Sequence, residues 1–373
     1  MRILLWAESF YPDVGGGAVM NTQFVAEMER RGHAFLILAG ANNEQYRPPV
    51  VAIHGAPIYR FPFAQLIQQN RLADIKTVCR HLHDLLTDFQ PDLIHVPECG
   101  PNNFFLLLCH SSFRVPLVHT IQALIPQAAG IPGLMTRTLR QMDWVAAVSQ
   151  TMLDDARKLV TEITGRSSLI YNGAMMPPLE PTPLSPELFD SPRLLFIGRL
   201  VHDKGVDLLL DAFAQILKIF PRAHLTLAGD GFEREQLERH VVELGMRAAV
   251  EFLGWVMPEK TPEWVNAATM VVVPSRWREP FGLVALEAMQ MARPVVASRV
   301  GGLAEVIVDG ETGILFENEN SAALADAIAY LLEHPNAARV MGAKGRKRAQ
   351  QKFSIERYAD EYEQLYQRLL NSK

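Results

Sequence analysis

The 373-residue chain carries 36 Lys+Arg against 41 Asp+Glu, a formal net charge of −5, and is 49% hydrophobic and 21% charged. That composition excludes a disordered chain, and the length exceeds one comfortable core, so two domains of about 100–200 residues each are expected. The acidic balance, with no run of like charge and no zinc-finger spacing, speaks against nucleic acid as a partner.

From the amino terminus, MRILLWAESF has an apolar run that Glu8 ends. It is too short for a signal-peptide core and lacks a small-residue cleavage site. No stretch approaches the roughly 20 apolar residues that span a bilayer. Cys79, Cys99 and Cys109 form an odd, unpatterned set, which predicts free thiols in a reducing compartment, the cytosol. Short apolar runs recur at 2–6, 34–40, 92–96, 116–120, 144–148 and 168–171, and again at 193–198, 224–229, 250–254, 270–275 and 294–298. Alternating with segments of helical spacing, they predict buried parallel strands in βαβ units. The fold class is therefore α/β, two doubly wound, Rossmann-like domains facing across a crevice. Between them, 177–192 holds Pro177, Pro178, Pro181, Pro183, Pro186 and Pro192 and is expected to be an irregular linker. The expected division is 1–176, the linker 177–192, and 193–354. At the carboxyl end Ile355, Tyr358, Tyr362, Leu365, Tyr366 and Leu369 recur at three- and four-residue steps, an amphipathic helix.

Open α/β sheets bind ligands at the carboxyl ends of their strands, so the strand-to-helix loops are the place to look for polar groups. EPFGLVALE, residues 279–287, follows the strand at 270–275 and opens a helix near Gly282. A helix start offers unpartnered N–H groups and a positive dipole end to an anion such as a diphosphate. Taken alone, Glu279 and Glu287 read equally as acceptors of ligand hydroxyls or as a solvated loop residue and a dipole partner. The loop after 193–198 adds Arg199 and Lys204, the side chains that neutralise phosphate. Gly15, Gly16 and Gly17 read either as a close-approach loop or as a flexible turn.

This combination resembles the retaining nucleotide-sugar glycosyltransferases of the GT-B fold, family 4. The motifs run in family order: YPDVGGG to Gly32, PDLIH ending at His95, VSQ at Val148, YNG at Tyr171–Gly173 and GRL with KG at Gly198–Gly205. AGDG at Ala228–Gly231, FLG at Phe252–Gly254, the paired Glu279 and Glu287, GG with Glu305, and Asp309–Gly313 follow. The resemblance implies that Arg199 and Lys204 bind the donor diphosphate, Glu287 the ribose hydroxyls and Glu279 the transferred sugar. Backbone N–H groups of Phe281, Gly282 and Leu283, with Gly254, would complete the donor set, and Gly15, Gly16 and Gly17 would approach from the first domain. It further implies that helix 355–373 packs back on the first, acceptor-side domain. The donor would be a nucleotide diphosphate sugar of UDP or GDP type, with no metal or other cofactor required.

Two positions depart from the pattern. Gln122 stands where many members carry a His that contacts donor sugar or phosphate, and Met175 stands where members usually carry Asp; His119 reads as a packed strand residue. On the acceptor side, 122–135 and 60–71, with Phe61, Phe63, Leu66 and Ile67, could border a greasy acceptor or a membrane surface, or simply anchor loops. A saccharide, a glycolipid or a small molecule fits as acceptor, with a cytoplasmic chain open to peripheral contact at the inner face of the membrane. The rival readings are an epimerase or phosphorylase on the same fold, and a non-catalytic nucleotide-sugar-binding subunit.

Overall fold

The structure, a computed structural model, describes residues 1–13, 15–41, 47–51, 55–109, 114–123 and 133–372. The chain divides into two compact units, Met1–Gly173 with Ile355–Lys373, and Ala174–Ser354. Each is a doubly wound α/β sheet.

In the first unit the strands are β1 (Arg2–Trp6), β2 (Ala34–Gly40), β3 (Arg47–Val51), β4 (Pro57–Phe61), β5 (Leu93–Val96), β6 (Leu117–Ile121), β7 (Trp144–Ala147) and β8 (Ser167–Leu169). Their order is β3-β4-β2-β1-β5-β6-β7-β8. All pairs are parallel except β3 with β4, an antiparallel edge. The second unit has β9 (Arg193–Ile197), β10 (His224–Ala228), β11 (Val250–Gly254), β12 (Met270–Val273), β13 (Val295–Ser298) and β14 (Gly313–Phe316), in the order β11-β10-β9-β12-β13-β14. Strands β5, β6, β12 and β13 are buried at every position, which is why they read as continuous apolar runs rather than alternating ones.

Three strands escape the periodicity. β3 and β4 carry prolines in RPPVV and PIYRF, which suit an edge or a strand end but blunt the pattern, and β14 is four residues long. The stretch 60–71 is not a greasy rim for its main anchors. Phe61 and Phe63 are buried and stack at 5.4 Å, Phe63 meets Phe105 at 4.7 Å, and Leu66 is buried beside them. The stretch 122–135 lies largely outside the described residues.

Residues 177–192 differ from the expected irregular linker. They belong to the second unit and include one helical turn, Glu187–Asp190, which Pro186 precedes with a φ of −55°. Proline's fixed φ suits a helix start even though it breaks a helix interior. The segment is also fastened: Arg293 Nη1 donates to Thr182 O at 2.9 Å, and Arg339 Nε donates to Leu184 O at 2.7 Å.

The terminal helix, Ile355–Asn371, belongs to the first unit and packs against the helix Gly16–Arg30. Its buried stripe holds Ile355, Tyr358, Tyr362, Leu365 and Tyr366. Phe24 meets Tyr358 and Tyr362 edge-on at 5.4 and 5.3 Å. Underneath runs a buried polar chain, in which Tyr366 Oη bonds His95 Nδ1 at 2.7 Å and His95 Nε2 bonds Thr120 Oγ1 at 2.8 Å; Thr120 Oγ1 also bonds Tyr362 Oη. Burial holds His95 neutral, with its pKa lowered to about 3, so each ring nitrogen has one defined role in that chain. Truncation after Phe353 removes this stripe and takes the Tyr366 hydroxyl from His95 Nδ1 and the Tyr362 hydroxyl from Thr120. Each orphaned polar group costs about 1–3 kcal/mol beyond the lost apolar burial. A lowered melting temperature is expected in thermal unfolding; an unchanged one with full activity would contradict this account.

Candidate active site

In the second sheet the strand order reverses between β9 and β12, and ligands of such sheets bind at the carboxyl ends beside that reversal. The loops after β9 and β12 are those that carry Arg199 and Lys204 on one side and Glu279 on the other. Gly205 makes their approach possible. It has a φ of +64°, and a Cβ there would fall 2.1 Å from the Pro274 carbonyl oxygen, so only glycine lets the two loops touch. The loops are then stitched together. Arg276 forks onto Asp207 at 2.6 and 2.8 Å, and the backbone N–H of Arg276 donates to Asp203 O at 2.9 Å.

Within this frame Lys204 Nζ donates to Glu279 Oε1, and Ser275 Oγ donates to the same oxygen at 2.7 Å. The Glu279 side chain is only 12% exposed. Lys204 is therefore not a free cation awaiting phosphate; it is half-buried and already paired. Arg199 is exposed and, among the described residues, has no hydrogen-bond or ion-pair partner. The turn Pro280–Gly282 is backed by the loop after β13: Gly302 N donates to Glu279 O at 2.7 Å, and a Cβ on Gly301 would meet that same oxygen at 2.3 Å. Gly282, at φ +108°, caps the helix Leu283–Gln290, whose start has no side-chain cap. Its first N–H groups are thus open to an external acceptor.

Phe281 turns its ring inward, 2% exposed and edge-on to Phe353 at 5.4 Å, so only its backbone faces the turn. Leu283 is half-buried. Glu287, on the same short helix, is half-buried with no charged partner among the described residues, and desolvation raises its pKa to about 7. Gly254 ends β11 at the sheet edge, where its carbonyl accepts from Gly229 N at 2.7 Å.

The remaining expected residues lie in the first unit. Gly15 caps and Gly16 opens the helix Gly16–Arg30, which also lacks a side-chain cap. Gly17 faces the Glu98 and Gln122 side chains directly: a Cβ would lie 2.0 Å from Glu98 Oε1 and 3.7 Å from Gln122 Oε1, so any side chain there would displace the Glu98 carboxylate. Gln122 follows β6, and its Nε2 is buried with no partner among the described residues. Glu98 accepts from Ser9 N at 2.9 Å and from Ser9 Oγ at 3.0 Å, while burial pushes its pKa up. Glu8 accepts from Asn102 N at 3.2 Å, and burial raises its pKa to about 7. Glu8 follows β1 and Glu98 follows β5, the two strands at which this sheet's order reverses. Sequence reasoning missed both. The signal available was a lone carboxylate two residues past the end of each apolar run.

Met175 is exposed, and its carbonyl accepts from the Gln290 side chain at 3.3 Å, so this position serves the backbone rather than a charge. Among the described residues no group of three or more His, Cys, Asp or Glu could hold a metal ion, and no helix is long and apolar enough to cross a membrane.

Residues 186–348 match the family Glycosyl transferases group 1, and residues 14–174 match Glycosyltransferase Family 4. An uncharacterized glycosyltransferase of Methanocaldococcus jannaschii is 35% identical over 380 residues, covering 99% of each chain. The sucrose-phosphate synthase of Thermosynechococcus elongatus superposes with a TM-score of 0.84 at 25% identity over 100% of both chains. Anabaena HepE, in a complex with UDP-glucose, superposes at 0.76 and 23% identity, again over 100% of both, and shares the fold. The chain belongs to the family 4 nucleotide-sugar glycosyltransferases and has the GT-B fold.

Proposed function

We propose that the chain transfers a glycosyl group from a nucleoside diphosphate sugar to an acceptor hydroxyl with retention of anomeric configuration. The donor binds on the second unit and the acceptor on the first. The observation that carries this reading is the Lys204–Glu279–Ser275 set beside an uncapped helix start at the sheet's reversal point. Arg199, Lys204 and the N–H groups of Phe281, Gly282 and Leu283 receive the diphosphate, and Gly254 lines the donor's nucleoside end. Glu279 meets the transferred sugar and Glu287 the ribose hydroxyls. Because these cations and dipoles face the charge that develops on the leaving diphosphate, the reaction proceeds without a metal ion. Of the two donor types the UDP type, with uracil as base, is favoured, a reading supported by the UDP-glucose complex of a protein with this fold. On the first unit Gly15, Gly16 and Gly17 line the approach, and Gln122, Glu98 and Glu8 accept or donate hydrogen bonds to a saccharide, glycolipid or small hydroxylated acceptor.

The direct test is a binding screen of UDP and GDP sugars, followed by mass analysis of acceptor products and NMR assignment of the new anomeric centre. Inverted product, or sugar release as a phosphate or an epimer with donor alone, would overturn the reading.

A pH dependence follows from Glu287. Its pKa in the ligand-free fold is about 7 against an ordinary 4.5, so the protonated form is favoured and ionising it costs stability as pH rises across that window. Ribose hydroxyls donate to the ionised carboxylate and reverse that cost. Donor affinity should therefore tighten, by up to roughly tenfold per pH unit, as pH climbs towards about 7, and then level off. A nucleotide sugar is the right probe, because its diphosphate is a diester with no proton to lose in that range. Calorimetric titrations at several pH values should show the slope in the native chain and a flat profile in Glu287→Gln; a slope retained in the variant would remove Glu287 from the ribose.

A further inference from the structure

The second sheet is covered unevenly. The crossovers from β9 to β10 and from β10 to β11 run through the helices Val206–Ile219 and Arg234–Glu243, and both helices lie on one face, where Phe213 and Leu237 share a buried cluster with Leu194 and Leu225. On the opposite face the seven-residue helix Thr261–Ala267 packs on β9 and leaves a pocket of about 320 Å³. The strands β10, HLTLA, and β11, VEFLG, bring His224, Thr226 and Glu251 to that face, in register with Arg193 and Leu195 of β9. A strand covered on both faces is apolar at every step, as β12 and β13 are; polar residues interleaved along β10 and β11 mark a face left open. Arg193, His224 and Glu251 are exposed, Thr226 and Trp264 are half-buried, and buried Leu195 forms the floor. Among the described residues no hydrogen bond, ion pair or ring contact occupies the side chains of Arg193, His224, Glu251 or Trp264.

We propose that this pocket is a second, non-catalytic binding site, which takes an uncharged saccharide. A guanidinium and a carboxylate share the lining without pairing, so it carries no net charge that would select an anion or a cation. What suits it is a compact ring with several hydroxyls. Each hydroxyl both donates and accepts: it donates to the Glu251 carboxylate and accepts from the Arg193 guanidinium, while Thr226 and His224 can do either. The Trp264 indole supplies the apolar plate, whose electron-rich face receives the C–H side of a sugar ring. The volume falls near the lower end of the roughly 300–1,000 Å³ of small-molecule sites, which suits a short saccharide. The pocket is also remote from the donor loops. Arg193 and His224 open their strands, whereas those loops follow the carboxyl ends, about 13 Å further along a five-residue strand. Both places can therefore be filled at once, and this inference does not rest on the transfer reaction.

The full chain is titrated by calorimetry and saturation-transfer NMR with methyl α-D-glucopyranoside, methyl β-D-galactopyranoside, maltose and cellobiose, each with and without UDP and GDP. At least one of these neutral sugars should bind with a Kd in the millimolar range, and neither nucleotide should displace it. Glu251→Ala and Trp264→Ala should each weaken that binding by roughly tenfold or more, with nucleotide affinity unchanged. Glu251 is exposed on the edge strand, so its variant keeps the fold even if loss of Trp264 disturbs the helix beneath it. Trp264→Phe keeps an aromatic plate and should retain most of the affinity. No binding by any sugar, binding that either alanine variant leaves intact, displacement by a nucleotide, or a preference for glucuronate or uridine over every neutral sugar would each overturn the proposal. Because the readout is binding and not turnover, its failure leaves the transferase reading standing.

Discussion

Glu279→Gln lowers turnover by roughly a hundredfold while donor affinity stays within a few-fold, and Glu287→Gln does the reverse. The amide keeps most of the local structure. Its carbonyl oxygen still accepts from Ser275 Oγ, 2.7 Å away in the native chain, and from Lys204, so the turn that Gly302 N holds through Glu279 O survives. What disappears is a negative charge that is 12% exposed, in surroundings where a charge acts more strongly than in water. A sugar that becomes cationic as its bond to diphosphate breaks feels that charge most in the transition state, so the loss falls on turnover. Glu287 sits further along the helix, one turn past the helix start, and reaches groups that do not change during reaction. Its loss therefore appears in the ground state, as weaker donor binding. Turnover at saturating donor together with calorimetric donor affinity separates the two; one shared kinetic signature would sink the division of roles.

That pairing could be suspected in the sequence but not its setting. Buried parallel strands such as MVVV at β12 and VVAS at β13 announce themselves, because a strand covered on both faces must be apolar at every step. Their carboxyl-end loops then mark where polar residues matter, which is how Arg199, Lys204 and Glu279 stand out. The Lys204–Glu279 bond joins residues 75 positions apart, and it depends on β9 and β12 being neighbours and on Gly205 clearing the way for Pro274. No local pattern encodes strand adjacency. The same limit hid Glu8 and Glu98. Each is an isolated acid in an apolar context, and only the adjacency of β1 and β5 brings them to one end of the sheet. Proline counting misjudged 177–192 for another reason: proline forbids a helix interior, yet it allows the single turn at Glu187–Asp190 and says nothing of the arginines that fasten the segment.

Lys204→Ala weakens donor binding more than Arg199→Ala does, roughly a hundredfold against tenfold, and both leave nucleoside binding nearly unchanged. Both side chains lend a positive charge to the diphosphate, and a charge-assisted hydrogen bond contributes about 1.5–3 kcal/mol. The asymmetry comes from the ligand-free arrangement. Arg199 has no protein partner among the described residues, so its removal subtracts one attraction and adds nothing adverse. Lys204 neutralises Glu279, and its removal leaves that carboxylate unpaired where an anionic donor must dock. A second change should then expose the mechanism: in Lys204→Ala/Glu279→Gln the repulsion is gone, and donor affinity should recover by up to about tenfold over the single Lys204→Ala, even though one more polar contact has been altered. Contacting residues that share a network couple by about 0.5–3 kcal/mol in such cycles, which is within reach of calorimetry. If the two losses simply add, or if uridine and UDP lose affinity equally in either single variant, the diphosphate is not held by this pair of loops.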